Sequence, residues 1–258
     1  FGKQNPNEIS ATFRQFQDNR IIVSQRVAAA NPYWQALPDN QKFTADGFAK
    51  GYGRYAQDVL VPAFIAAYTG KDPNNVSLIK EAGSNISANP FRGIIPRPNW
   101  RVTYTGLSKI PALSSLFTNI TLTHGYNGQL SMNSFNSALL YQDPFRLSAP
   151  GFIDSTSGNF IPFFLIPNVS IAERFEPLIK VDVTTNTQFN FNFEYRKSRQ
   201  LSMSLVDYQL SESRSTEWIV GVNWRKRGFN LPFKLPGGRG KKLVNDLNLK
   251  LDVSVRDV

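Results

Sequence analysis

The fold class follows from one stretch, Thr187-Gln-Phe-Asn-Phe-Asn-Phe-Glu-Tyr-Arg196. Successive side chains of an extended strand point to opposite faces, so this stretch has one face of large aromatic rings and one face of amides and charges. A soluble sandwich usually places branched aliphatic side chains on its buried face. The contrast is typical of a transmembrane β-strand, which has hydrocarbon on one side and water on the other. A soluble β-sandwich with an aromatic core face is the alternative.

The same alternation recurs elsewhere in the chain. In residues 119–126, every second position carries an apolar side chain, an aromatic side chain or the single histidine. Residues 216–224 also alternate, and the two tryptophans of that segment resemble the two aromatic girdles of a membrane strand. The other alternating segments are 201–205 and 247–255. We therefore predict an all-β fold that is part of a large transmembrane antiparallel β-barrel with a loop-borne helical insertion.

Alternation also predicts which side chains face lipid and which face a hydrated lumen. The lipid-facing candidates are Phe189, Phe191, Phe193, Tyr195, Trp218, Val220, Val222 and Trp224. The lumen-facing candidates are Asn190, Asn192, Glu194, Arg196, Glu217 and Asn223.

Composition agrees with strands rather than membrane helices. The 258 residues include 20 Phe, 9 Tyr and 4 Trp, yet the mean hydropathy is only −0.29, because the polar face of each strand dilutes the apolar one. No apolar run approaches the ~20 residues that a transmembrane helix needs. The absence of cysteine excludes a disulfide framework and a cysteine metal site.

We predict two regions along the chain. Residues 1–99 form a helical and loop insertion outside the membrane, and residues 100–258 supply barrel strands joined by long loops. Within the insertion, Asp58–Tyr68 is a short apolar helix that Asp58 can cap and Thr69-Gly70 can end, with Pro62 tolerable in the first turn. The chain starts at Phe1 and stops directly after a strand, so we interpret it as a piece of a longer polypeptide.

Two further loop predictions follow from proline and glycine. Asn127-Gly128 either closes a hairpin or lies inside a long bent strand, and Asp143–Asn168 is a long loop.

The sequence contains no recognisable catalytic constellation. His124 is the only histidine and lies within an alternating segment, so we expect it to be a packed structural residue. Glu173 and Glu176 are expected to face water near Arg174. We predict that the protein is not an enzyme and has no catalytic residues, metal or cofactor.

The net charge of +10 is concentrated in one basic region, which has two interpretations. It is either a solvated turn or a contact with anionic lipid head groups. No fold that reads nucleic acid is apparent, so we predict no nucleic-acid partner. The basic residues are Arg225, Lys226, Arg227, Lys234, Arg239, Lys241 and Lys242.

Several strings, in order along the chain, resemble the C-terminal part of the SprA/Sov family, the translocon of type IX secretion in Bacteroidetes, which is also tied to gliding motility. The strings are Pro98-Asn-Trp-Arg-Val-Thr-Tyr-Thr-Gly-Leu107, Leu122-Thr-His-Gly-Tyr126, Val169-Ser-Ile-Ala-Glu-Arg-Phe-Glu-Pro-Leu178, Tyr195-Arg-Lys-Ser-Arg199, Gly51-Tyr-Gly53 and Val61-Pro-Ala-Phe-Ile-Ala-Ala-Tyr-Thr-Gly70.

The resemblance implies a single-chain barrel in the cell outer membrane that conducts folded secreted proteins. It also implies partners: the remainder of the parent barrel, a PorV-like partner barrel or a periplasmic plug protein over a lateral opening, secreted cargo proteins and outer-membrane lipid. We therefore expect a passive, gated protein-conducting translocon. The alternatives are a porin-like outer-membrane solute transporter, which shares every physical signal, and a surface adhesin or soluble β-sandwich binding module.

Overall fold

The computed structural model describes residues 10–79, 98–132, 134, 136–142, 153–230 and 244–257. The described residues fall into two compact units. The helical unit takes those of Phe1–Ile95, Met132–Val169 and Met203–Gln209, and the sheet unit takes those of Pro96–Ser131, Ser170–Ser202 and Leu210–Val258. The single boundary expected at residue 99 is therefore too simple, because two later segments also belong to the helical unit.

The helical unit is built around two packed helices, α1 (Ala11–Ala29) and α3 (Gln57–Thr69). The Ser10 side chain caps α1 by accepting a hydrogen bond from the Phe13 amide at 3.0 Å. The other described elements of this unit are α2 (Pro32–Gln35), a 3₁₀ turn at Asp39–Gln41, and a two-stranded sheet of β3 (Asn136–Ser137) and β4 (Phe164–Leu165).

The apolar helix α3 forms the core of the helical unit. Every residue from Val59 to Tyr68 is buried, so this helix is apolar on all sides, as a central helix must be. It ends at Gly70 in the left-handed conformation, as the sequence predicts, but Asp58 does not cap it and Pro62 lies one turn further inside than expected. The N-cap is Ala56, which offers no side-chain acceptor.

A buried serine joins α1 to the segment that precedes α3. Ser24 is fully buried, and its hydroxyl donates to the Tyr52 carbonyl at 2.5 Å and accepts from the Ala49 amide at 2.9 Å. The two backbone groups are thus satisfied by one side chain, which a buried backbone requires.

Replacing this serine tests the packing of the helical unit. Ser24→Ala leaves both backbone groups without their partner, so we expect a loss of about 1–3 kcal/mol of local stability. Hydrogen exchange of the Ala49 amide should accelerate accordingly. Gln25→Ala is the matched control, because the exposed Gln25 amide makes only a 3.4 Å contact with Gly47 and should change local stability by less than about 0.5 kcal/mol. Equal exchange rates in the two variants would contradict the expectation.

The sheet unit is one antiparallel sheet of six strands. Its strands, in chain order, are β1 (Trp100–Tyr104), β2 (Phe117–Met132), β5 (Asn168–Thr185), β6 (Phe189–Ser204), β7 (Gln209–Asn230) and β8 (Val244–Asp257). A 3₁₀ turn (Gly106–Lys109) and the short helix α4 (Pro111–Ser114) connect β1 to β2. Spatial order follows chain order, so each strand lies beside its nearest sequence neighbours in the sheet.

The prediction of a mainly antiparallel β fold is confirmed, because the described residues form mostly antiparallel β-sheet beside four helices. Each of the five alternating segments lies largely within a strand. Asn127 and Gly128 lie inside β2, so the long-strand alternative holds and no hairpin closes there. Residues 143–152 of the predicted long loop lie outside the described residues. Among those described, β1 pairs only with β2 and β8 only with β7, so the sheet is open.

Candidate functional site: the two faces of the sheet

One face of the sheet unit, here called the apolar face, exposes large apolar side chains across β6, β7 and β8. Trp218 is 46% exposed, Val220 49% and Leu251 67%. The register pairs Val220 with Val253 and Val222 with Leu251, so neighbouring strands present aliphatic groups side by side. A soluble monomer rarely exposes a contiguous apolar patch larger than roughly 300–600 Å², and larger patches mark a surface that contacts another protein, a ligand or a membrane.

Aromatic rings lie at two levels of this apolar face. Tyr195 stacks on Trp218 with ring centroids 4.0 Å apart, and Phe189 stacks on Trp224 at 5.6 Å. The two tryptophans are six residues apart on β7, which is ~20 Å along an extended strand. Between them β7 and β8 carry aliphatic side chains, and β6 carries Phe191 and Phe193. Tryptophans at two levels of an apolar face resemble the two aromatic girdles of a membrane strand.

The opposite side of the sheet, here called the polar face, holds a hydrogen-bonded network across three strands. Arg196 on β6 donates to Glu194 at 2.6 Å and to Glu217 on β7 at 3.5 Å. Ser254 on β8 donates to the other oxygen of Glu217 at 2.9 Å. Glu194 is only 9% exposed, whereas the Arg196 side chain is 40% exposed, so the network is paired and partly buried.

A glycine allows two polar side chains to approach each other closely on the polar face. Gly221 on β7 is buried, and a Cβ atom there would overlap the side-chain oxygens of Asn192 on β6 and Asp252 on β8. The sequence marks Gly221 only as one more residue on the polar side of β7, so its packing role becomes visible only with the strand register.

Substitution of Gly221 tests this arrangement. Gly221→Ala forces the Asn192 and Asp252 side chains away, and overpacking of this kind typically costs about 1–3 kcal/mol. The measurement is denaturant unfolding of the reconstituted protein. The double variant Gly221→Ala with Asn192→Ala should recover part of the loss, because it removes one of the two overlapping side chains. A double variant less stable than the sum of the two single effects would argue against this packing.

The structure brings each predicted set of site residues together on one face. The contacts above place Asn192, Glu194, Arg196 and Glu217 on the polar face, and alternation places Asn190 and Asn223 with them. Asn190 accepts a hydrogen bond from Thr184 at 2.8 Å. Phe191, Trp218 and Val220 are exposed on the apolar face. Phe189, Phe193, Tyr195, Val222 and Trp224 share that face and are half-buried by one another and by their neighbours. The assignment of one face to lipid and the other to water stays a prediction.

A buried ionic cluster was missed by sequence reasoning and corrects one expectation. Glu173 is 4% exposed, and it pairs with Arg199 and accepts a hydrogen bond from Tyr126 at 3.1 Å. The expectation that it faces water was wrong, because strands that are distant in sequence cover it. No sequence signal could have paired Glu173 with Arg199, which is 26 positions away, or with Tyr126, which is 47 positions away.

The single histidine packs as expected. Nδ1 of His124 lies 2.7 Å from the Leu178 carbonyl, and its ring lies 6.0 Å from that of Phe175 and 6.3 Å from that of Trp100. It is therefore a structural residue within the aromatic part of β1, β2 and β5.

None of the helices in the described residues has the length and hydropathy needed to span a membrane. A scan of the chain against models of known protein families finds no match, and a search of curated protein sequences finds no significant match.

Proposed function

We propose that the sheet unit is a segment of a transmembrane antiparallel β-barrel in the outer membrane, and that the complete barrel conducts secreted proteins. The observation that carries the proposal is the distribution of side chains: several large rings and aliphatic groups are exposed on the apolar face, whereas charged side chains of the sheet are paired, with Glu173 and Glu194 buried. Hydrophobic burial in water drives the opposite arrangement. A hydrocarbon phase against the apolar face accounts for it.

Strand length supports the same proposal. The strands β2, β5, β6, β7 and β8 have 14 to 22 residues. Strands in globular proteins most often have about 5–6 residues, and a tilted strand needs about 9–11 to cross the hydrocarbon. Each long strand can therefore cross the membrane and extend beyond it.

The open edges of the sheet define the first partner. Unpaired backbone groups at the edge of a sheet cost several kcal/mol each in hydrocarbon, so a membrane sheet must close on itself. In the described residues, β8 presents one edge without a neighbour, and β1 presents the opposite edge. We propose that strands from the remainder of the parent barrel pair with both edges.

The conducting role and the remaining partners come from the family resemblance. The network of Arg196, Glu194 and Glu217 would line a hydrated lumen, and its acids and bases are interspersed, so it places no strong field of one sign before a passing polypeptide. The lumen would act passively, without bond chemistry. By resemblance, a PorV-like partner barrel and a periplasmic plug protein would gate it, and the role would lie in type IX secretion and gliding motility.

Two measurements separate a translocon from a porin-like transporter. Deletion of the gene should stop secretion of cargo proteins while uptake of small solutes continues. In planar bilayers, the full-length protein stripped of its partners should form a pore that passes far larger molecules than a porin does. A small, solute-selective conductance would favour the porin-like alternative. Solubility of the full-length protein without detergent would instead favour an adhesin or a soluble sandwich.

A further inference from the structure

A cleft of about 500 Å³ lies over the strands β1, β2 and β5 of the sheet unit. It is here called the arginine cleft, and its lining includes Asn99, Arg101, Gly125, Asn127, Arg174 and Glu176. Glu176 lies within electrostatic range of Arg196, so the cleft opens on the polar face. The rings of Trp100 and Tyr126, which stack with their centroids 4.5 Å apart, occupy neighbouring positions and therefore the opposite side.

The strand register places a glycine at the centre of the arginine cleft. β2 lies between β1 and β5, and Arg101 of β1 pairs with Gly125 of β2. The hydroxyls of Ser131 and Ser170 lie 2.8 Å apart, so odd residues of β2 and even residues of β5 share this side. Gly125 is buried, and a Cβ atom there would lie 3.6 Å from the Glu176 carbonyl oxygen. Gly125 is therefore the floor of the cleft, with Arg101 on one flank and β5 on the other.

Two arginines flank this floor without a counter-charge. Arg101 and Arg174 are exposed, and neither makes an ion pair or a hydrogen bond with the described part of the chain. Neighbouring strands lie about 4.8 Å apart and residues i and i+2 of a strand about 6.6 Å apart, so the two Cα atoms are about 12 Å apart across β2. Their long side chains can therefore reach one ligand above Gly125.

Glu176 does not neutralise both arginines. It is the single acid among the described residues that line the cleft, and Arg196 also attracts it. Two cations against one acid leave an excess of one positive charge. The side-chain oxygen of Asn99 accepts from the Gly128 amide at 2.7 Å, so the Asn99 side chain has only N–H donors left for a ligand. The cleft is therefore rich in donors and positive, which suits an anion.

We propose that the arginine cleft binds the carboxylate groups of an acidic polypeptide. The planar guanidinium group donates two parallel N–H bonds that fit a carboxylate. The cleft is far larger than a single ion, and the side-chain amide of Asn127 offers a donor and an acceptor to the peptide units of an extended chain. The inference rests on the proposed function for the source of the ligand, a secreted polypeptide in the lumen, and adds to it a preference for acidic segments.

The test measures binding to the full-length protein, purified in neutral detergent. The probe is a fluorescent pentapeptide with neutral ends and two aspartates, and its twin carries two asparagines instead. We expect the aspartate peptide to bind about tenfold more tightly than its twin. Raising the salt concentration to 1 M should weaken this preference, because exposed charges are then screened within about 3 Å.

Charge removal then assigns the preference to the arginine cleft. Arg101→Gln with Arg174→Gln should reduce it to about twofold or less. The matched control is Lys250→Gln with Arg256→Gln, which removes two exposed cations from the β8 side of the same polar face and should leave the preference unchanged.

A second variant keeps both arginines and fills the space between them. Gly125→Asp places a carboxylate at the floor of the cleft, where a Cβ atom makes only ordinary contacts. It should suppress binding of the aspartate peptide as strongly as loss of the two arginines does. Gly125→Asn has nearly the same shape without the charge, so it should retain more of the preference.

The outcomes separate this inference from the proposed function, because binding in detergent does not require conduction. Equal binding of the two peptides, or a preference that survives Arg101→Gln with Arg174→Gln, would overturn the inference and leave the membrane location and the conducting role standing. Inorganic phosphate that binds the cleft in place of the peptide would also overturn it. A preference that follows the variants, in a protein with a small, solute-selective conductance, would support the carboxylate site and overturn the secreted polypeptide as its ligand.

Discussion

Phe191→Arg should destabilise the protein in a bilayer by about 2–4 kcal/mol. Phe191 is 43% exposed on the apolar face, and its neighbour Asn192 lies against Gly221, midway between Trp218 and Trp224. An arginine at this level would stand near the bilayer midplane, where its charge loses hydration without gaining a partner. Reversible unfolding of the full-length protein from lipid vesicles measures the cost.

The adjacent position provides the control for this prediction. Asn192→Arg introduces the same side chain on the polar face, where water and the carboxylates of Glu194 and Asp252 are available. Its cost should be small, at about 1 kcal/mol or less, apart from any crowding against Gly221. If arginine were tolerated at 191 and costly at 192, the two faces would be assigned the wrong way round.

Arg199→Met should destabilise the sheet unit by about 3–5 kcal/mol. The side chains of Arg199 and Glu173 are 11% and 5% exposed, so removal of the arginine leaves a buried carboxylate without its counter-charge. The carboxylate is already close to the Tyr126 hydroxyl, but a neutral donor cannot replace the lost cation. Denaturant unfolding of the reconstituted protein gives the free energy.

The double variant distinguishes the ion pair from simple loss of packing. Glu173→Gln with Arg199→Met removes both charges and should recover much of the loss, because no buried charge is left unpaired. Lys250→Met is the exposed control, since the Lys250 and Asp252 side chains are 67% and 41% exposed and such a pair contributes only about 0–1 kcal/mol. If Arg199→Met lowered the free energy of unfolding by no more than Lys250→Met does, the buried ion pair would not contribute to stability.

Alternation predicted parts of β2, β6, β7 and β8 and the grouping of their side chains, but it did not predict β5. The period of two is a local property, so the sequence showed which residues of β6, β7 and β8 share a face. It underestimated β7, which begins at Gln209 rather than near Thr216, because residues 209–215 are nearly all polar and show no apolar alternation. A strand can continue through such residues when its backbone pairs with a neighbour.

Contacts between strands were beyond sequence reasoning. The network of Arg196, Glu217 and Ser254 depends on the register of three strands, and a shift of one residue would move every side chain to the other face. The extent of the helical unit was missed for a similar reason. Gln57 donates to the Phe164 carbonyl and accepts from the Ile166 amide at 2.7 Å, a contact between segments more than 100 residues apart. Prolines and glycines in the intervening segment indicated a loop but not its packing partner.

The most direct test of the account is the labelling pattern along β6. Cysteines introduced singly from position 189 to 196 of the full-length protein, with other cysteines replaced, are treated in intact membranes with a small, charged thiol reagent. The account predicts labelling at Asn190, Asn192, Glu194 and Arg196, with protection at Phe189, Phe191, Phe193 and Tyr195. Labelling that alternates in the opposite phase, or that is uniform along the strand, would contradict a sheet with lipid on its apolar face and water on its polar face.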